Sequence, residues 1–275
     1  MISANFDSGD NERRTPENCQ ADDKLLNVYK WPVANGRPGE ASFLKAIVFD
    51  IDGTLIESMT IDSELFFSSV AAVLGPVEFR AKLNDYDHVT DTGLIAQLMD
   101  DNALSLEPGA IDSIRTLFVT GLIEHIQTVG PFTPIHGAIQ MIDRLNLAAE
   151  YCVAIATGGW RNSALLKLES SGFNVDGVPI VSCDDSPSRT EIMRIALARL
   201  GNDFESVTYF GDADWDRRAC QTLGWEFVPV GSDLGGIKSY DDFDFQLGRP
   251  LNRKRTSAKS PLDRYREWLK TRQTG

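Results

Sequence analysis

The sequence predicts an α/β fold: a Rossmann-like parallel sheet core with a helical cap domain inserted after the first strand. Three observations predict it. Short apolar runs, each ending in Gly, Asp, Thr or Ser, recur at 46–50, 151–159, 178–185, 206–214 and 226–233. Helical patterns fill the gaps between the later runs, at 160–171, 188–200 and 215–223. Buried strands alternating with helices build a parallel sheet covered on both faces. The first two runs, however, are separated by roughly 100 residues, where a crossover needs about a dozen.

Each element follows in order. Residues 1–42 are polar, with scattered Pro, Gly and charge, and read as a flexible extension whose one apolar spot is "LLNVYKWPV". "AIVFD" is the first strand. The long connection reads as helices over 59–74, 92–100, 108–128 and 135–148, punctuated by Gly75-Pro76, Glu107-Pro108 and Gly130-Pro131. The last of these helices is the crossover. Residues 57–131 are the insert, and an insert leaving just after Asp52 sits above the strand ends as a cap. The core then comprises 43–56 and 132–240. Right-handed crossovers bring all strand C-termini to one edge, where open sheets bind ligands.

Composition bounds the function. Of 275 residues, 42% are hydrophobic and 24% charged, which fits an ordinary soluble domain. No apolar run is long enough to span a bilayer, and "MISANFDSGDNERR" lacks the apolar centre of a signal peptide. The expectation is a cytoplasmic protein, monomer or homodimer. A net charge of −13 argues against general nucleic-acid binding. The tail, 241–275, contains the basic stretch "GRPLNRKRTSAKSPLDRYREWLKTRQTG". It leaves open contact with a nucleic acid, a partner, or the chain's own acidic body. Cys19, Cys152, Cys183 and Cys220 form no CxxC pair or zinc pattern and read as reduced thiols, mostly buried.

The chemistry sits in "KAIVFDIDGTLIES", residues 45–58. In an extended chain, residues two apart point to one side. Asp50 and Asp52 therefore place two mutually repelling carboxylates at one strand end. A cation resolves the conflict. Magnesium takes oxygen ligands, often one or two carboxylates with substrate phosphate oxygens. An Asp-Gly turn after a strand explains Gly53 but leaves Asp50 unexplained.

The pattern resembles the haloacid dehalogenase superfamily of phosphohydrolases, in its phosphoglycolate phosphatase-like branch with a C1-type helical cap. The family's first motif, DxDGT, stands as Asp50-Ile51-Asp52-Gly53-Thr54. The second, a strand ending in Thr or Ser, matches "VAIATGG" with Thr157 and Gly158. The fourth, GDxxxD, matches "YFGDADWD" with Gly211, Asp212 and Asp216. The order is kept over residues 45–235. The resemblance implies Asp50 as nucleophile, forming an aspartyl-phosphate. It implies Asp52 as general acid and then base. It implies Mg²⁺ at Asp50, the Asp52 carbonyl and Asp212, with Asp216 nearby, coordinating or supporting the metal's waters. Thr157, Thr54 and Gly158 would hold phosphoryl oxygens, although Thr157 also suits a cap for the following helix.

The third motif, a Lys or Arg near a later helix start, departs from the common Lys-Pro. "SRTE" fits a capping box with Ser188 as N-cap and Glu191 at N3, which puts Arg189 in the first turn. The helix dipole disfavours an arginine there, so a compensating anion makes sense. Arg189 is assigned to the phosphoryl group and Asp50, with Arg161 and Lys167 as substitutes. In the cap, "NDYDHVTDTGL" offers His88 and Asp91 as contacts for the leaving group; helix capping by Asp91 or Thr92 is the alternative. His125 and His136 read as structural. The resulting expectation is a Mg²⁺-dependent phosphatase of a small phosphorylated metabolite. A phosphomutase or a non-catalytic binding protein on the same scaffold are the alternatives.

Overall fold

The computed structural model describes residues 44–105, 107–201 and 203–244, and the backbone of 249–250. The N-terminal extension with Cys19, and most of the basic tail, lie outside the described residues.

Five parallel strands form one sheet in the order β3-β2-β1-β4-β5. They are β1 (Lys45–Phe49), β2 (Tyr151–Ala156), β3 (Ile180–Val181), β4 (Ser206–Gly211) and β5 (Glu226–Pro229). β1 is central and almost wholly buried, as its continuous apolar run requires. It pairs in register with β2 on one side and β4 on the other. The chain leaves β1 first toward β2 and later reaches β4 across the sheet. Their C-terminal ends therefore flank a topological switch point, the crevice where such sheets bind ligands. Aromatic packing fixes β1 against β4: Phe49 stacks on Phe210 with centroids 4.9 Å apart. Phe243, past the expected core end at 240, is buried against Phe210 at 5.1 Å.

Between β1 and β2 lie α1 (Met59–Leu74), α2 (Asp91–Asp101), α3 (Ala110–Thr128) and the crossover helix α4 (Ala138–Leu147). The first three form the cap. Phe66 of α1 meets Phe118 of α3 edge-on at 6.2 Å. The two chain segments joining cap to core pair with each other: Glu57 N–H donates to Thr133 O and Ile135 N–H to Leu55 O, both at 2.9 Å. The later helices are α5 (Arg161–Ser170), α6 (Arg189–Leu200) and α7 (Asp214–Leu223).

Local chemistry departs from expectation at three points. The run 178–185 forms only a two-residue strand, because Ser182 N–H turns onto the Asp185 carboxylate at 3.0 Å. Ser188 is the N-cap of α6, but no capping box forms. Its hydroxyl engages Thr190 Oγ1 at 3.0 Å, and Glu191 pairs with Arg194 at 3.3 Å. The cap of α2 is Thr90, which accepts from Gly93 N–H, and neither Asp91 nor Thr92. Cys152, Cys183 and Cys220 are buried free thiols. No helix among the described residues is long and apolar enough to cross a membrane.

Candidate active site

The strand ends gather the carboxylates. Asp50 follows β1, and its N–H donates to Phe210 O of β4 at 2.9 Å. Asp212 follows β4, and Asp216 lies in the first turn of α7. Ligand oxygens of Asp50, Asp212 and Asp216 all lie within 4.8 Å of one another. Gly53 permits this approach. Its φ of +75° is left-handed, and a Cβ there would sit 2.2 Å from Asp212 Oδ2.

Burial and mutual repulsion raise these groups. Desolvation, with the Asp216 and Asp212 charges, pushes Asp50 well above the usual carboxylate range despite Arg189. Desolvation and Asp216 push Asp212 up to about 7. Arg189, in the first turn of α6, supplies the opposing charge. Its Nη1 lies 3.1 Å from Asp50 and 3.2 Å from Asp216. Asp216 is fully buried and also accepts from Ala213 N–H at 3.4 Å and Tyr209 O–H at 3.5 Å. The anion that offsets the dipole penalty on Arg189 is thus present twice over.

A second ionic cluster surrounds Asp52. Its Oδ1 accepts from Ser58 Oγ and from Lys167 Nζ, both at 2.5 Å. Lys167 belongs to α5 and is only 1% exposed; Asp62 of the cap helix α1 takes its other side, also at 2.5 Å. Lys167 therefore does not stand in for Arg189 on Asp50; it serves Asp52. Its two carboxylate partners outweigh burial and raise its pKa. Asp62 is pushed up to about 6 by desolvation and Asp52, against the pull of Lys167. Asp91 is buried beside this cluster, raised by desolvation and the Asp62 charge.

The cap loop before α2 is stitched to the core. Arg189 Nη2 donates to Val89 O at 3.1 Å, Thr90 Oγ1 to Pro187 O at 2.8 Å, and Asp91 N–H to Gly158 O at 2.9 Å. The Asp91 carboxylate accepts Trp160 N–H at 2.9 Å. It supports the loop after β2 from behind and does not line the pocket. His88 is exposed and also outside the pocket; Val89 and Thr90 line it instead. Thr157 Oγ1 accepts Gly159 N–H at 3.1 Å and does not cap α5, whose N-cap is Trp160. Gly158 lies against Arg189: a Cβ would meet Nη2 at 2.6 Å. Thr54 is fully buried, with its hydroxyl unpaired. Arg161 turns away to Ile180 O at 2.6 Å. His125 stacks on Phe132, and His136 meets Ser239.

Between cap and core a pocket with an empty volume of about 560 Å³, its mouth included, brings Asp50, Asp52, Thr157, Gly158, Arg189 and Asp212 together. Sequence reasoning missed Ser58 and Asp62 here. A signal existed for Asp62: it shares the inward face of α1 with Phe66, Ser69 and Val70 at helical spacing.

A family model of haloacid dehalogenase-like hydrolases matches residues 44–224. The chain belongs to this family. A search of curated proteins finds no significant match. Among solved structures, a hydrolase from Pseudomonas syringae is 19% identical, with a TM-score of 0.56 over 69% of this chain and 87% of that one. CbbY from Rhodobacter sphaeroides, solved with phosphate, is 19% identical at a TM-score of 0.55, covering 73% and 90%. β-Phosphoglucomutase from Clostridium difficile is 14% identical at 0.57, covering 82% and 99%. At these identities the likeness concerns the fold.

The strand-end residues of this hydrolase fit a divalent cation. The donors are all oxygens, as a hard cation prefers. Three carboxylates face one guanidinium, leaving excess negative charge. The glycine at 53 keeps open the space in front of Asp212.

Proposed function

We propose that this hydrolase is a Mg²⁺-dependent phosphatase of a small phosphorylated metabolite, acting through an aspartyl-phosphate on Asp50. One observation carries the reading: Asp50, bonded to Arg189, and Asp52, bonded to Ser58 and Lys167, line one pocket beneath the cap. Mg²⁺ would be held by the carboxylates of Asp50 and Asp212 and the carbonyl of Asp52. When bound it supplies positive charge against the phosphoryl oxygens.

In the first step an Asp50 carboxylate oxygen bonds to phosphorus, and the bond to the leaving oxygen breaks. Arg189 holds Asp50 in line and offers charge to the phosphoryl group. Asp52 gives its proton to the leaving alkoxide. Ser58 and Lys167 both occupy Oδ1, which leaves Oδ2 as the atom for proton transfer. In the second step water attacks phosphorus, Asp52 takes its proton, and the bond to Asp50 breaks. Thr157 and the adjacent glycines line the phosphoryl end. Asp216 keeps Arg189 oriented, and the cap, residues 57–131, excludes bulk water.

Release of nitrophenol from p-nitrophenyl phosphate, with Mg²⁺ and with EDTA, tests this reading. Turnover in Mg²⁺ that EDTA abolishes is expected. Turnover unchanged by EDTA would remove the metal from the proposal. No turnover of this ester or of a panel of metabolite phosphates would remove the phosphatase.

A further inference from the structure

We infer, building on the phosphatase reading, that the pocket takes phosphate monoesters whose leaving group is an uncharged, largely apolar alcohol, aryl or arylalkyl, in preference to a sugar, an acid or a bisphosphate. Away from the strand ends its wall is mostly apolar: Met59, Phe66, Phe67, Leu83, Val89 and Leu94 line it, with Asp62, Ser63 and Thr90 as the polar side chains on that side. The aromatic side is braced. Phe66 packs against Phe118 and Trp160, and Phe67 meets Phe79 edge-on at 4.9 Å. An alcohol rich in hydroxyls would leave several of them unpaired against this wall, which costs free energy.

Charge points the same way. Two cations stand close to the pocket, and both are already engaged. Arg189 is divided between Asp50 and Asp216, and Lys167 is buried between Asp52 and Asp62. No other Lys or Arg lines the pocket among the described residues. A second phosphate or a carboxylate on the substrate would face Asp52 and Asp62 with no free cation, in a site where charges are poorly screened. For a sugar's several hydroxyls the wall offers the single hydroxyl of Ser63, because that of Thr90 donates to Pro187 O and accepts from Gly93 N–H.

Matched esters provide the test. The full chain is assayed with Mg²⁺ on phenyl phosphate, 4-carboxyphenyl phosphate and glucose 6-phosphate, with inhibition by inorganic phosphate measured separately. The carboxylate is expected to lower kcat/KM by about tenfold or more, and the sugar ester to rank below phenyl phosphate. Leu83→Lys should shift the ratio toward the carboxylate ester. Phe67→Ala should lower kcat/KM for phenyl phosphate about tenfold while inhibition by inorganic phosphate stays unchanged. Equal or better turnover of the carboxylate or sugar ester would overturn the substrate class and leave the phosphatase standing. Hydrolysis of none of the three by a chain that still binds inorganic phosphate would overturn the substrate class, and the phosphatase with it only if p-nitrophenyl phosphate and the metabolite panel also stayed uncleaved.

Discussion

Two buried ionic clusters flank the pocket, and they are built on opposite principles. At the strand ends, Asp50, Asp212 and Asp216 face Arg189, and negative charge is in excess. On the cap side, Lys167 is clamped by Asp52 and Asp62, with Ser58 closing the network. The first lies at the strand ends of the core and keeps negative charge in excess, which suits the metal and phosphate site proposed for it. The second spans core and cap, since Lys167 belongs to α5 and Asp62 to α1. It neutralises itself and fixes one oxygen of Asp52. On the proposed mechanism the strand-end cluster would carry the chemistry, and the cap-side cluster would tie Asp52 to the cap.

Breaking each cluster should separate the two roles. The largest effect on turnover is expected from Arg189→Ala, a fall in kcat of about 10²–10³-fold, measured by steady-state kinetics in Mg²⁺. Arg189→Lys should recover only part of it, because an ammonium can replace Nη1 between Asp50 and Asp216 but not the Nη2 bond to Val89 O that the planar fork makes at the same time.

The largest effect on stability is expected from Lys167→Met. Removing the cation leaves Asp52 and Asp62 buried and unopposed, a loss of about 3–5 kcal/mol in denaturant unfolding. Asp62→Asn should cost less, about 1–3 kcal/mol, because Lys167 keeps its bond to Asp52. If the two variants were equally destabilised, the cap-side network would not be organised around Lys167.

The smallest effect concerns pH. Asp212, pushed up to about 7, and Asp62, pushed up to about 6, keep protons in the folded chain that the unfolded chain has lost. Without metal, stability should therefore fall as pH rises from about 4 to about 7. On the proposed metal site, Mg²⁺ would bind the deprotonated strand-end carboxylates and offset their share of the loss. The rise in Tm on adding Mg²⁺ should be larger at about pH 8 than at about pH 5. A Mg²⁺ effect that shrank with rising pH would contradict the strand-end cluster as the metal site.

The contrast also explains what the sequence made legible. Asp50, Asp212 and Thr157 were readable because a strand end converts sequence position into spatial position, and the sheet order then brings three such ends together. Arg189 was readable from its place in a helix first turn, where only an anion justifies it. The cap-side cluster depends on how α1 docks against α5, which no local spacing encodes. The available clue was a charge on an apolar helix face: Lys167 sits with Ser163, Ala164 and Leu168 on the buried side of α5. His88 and Thr90 show the limit at loop scale. A shift of one or two residues decides which side chain enters the pocket, and only the contacts of Val89 and Thr90 with the core fix it.

On the proposed route Asp50 attacks phosphorus and Asp52 moves the proton. Asp52→Asn with p-nitrophenyl phosphate separates the two roles, because nitrophenol leaves without a proton whereas the second step needs a base. A burst of about one nitrophenol per active site and then a slow phase is expected. Acid quench during the slow phase should give a peptide phosphorylated at Asp50. A variant that turned over steadily with no burst and no phosphoryl group on Asp50 would contradict the covalent route. A variant that released no nitrophenol at all, beside an active wild type, would contradict the division of roles between the two carboxylates.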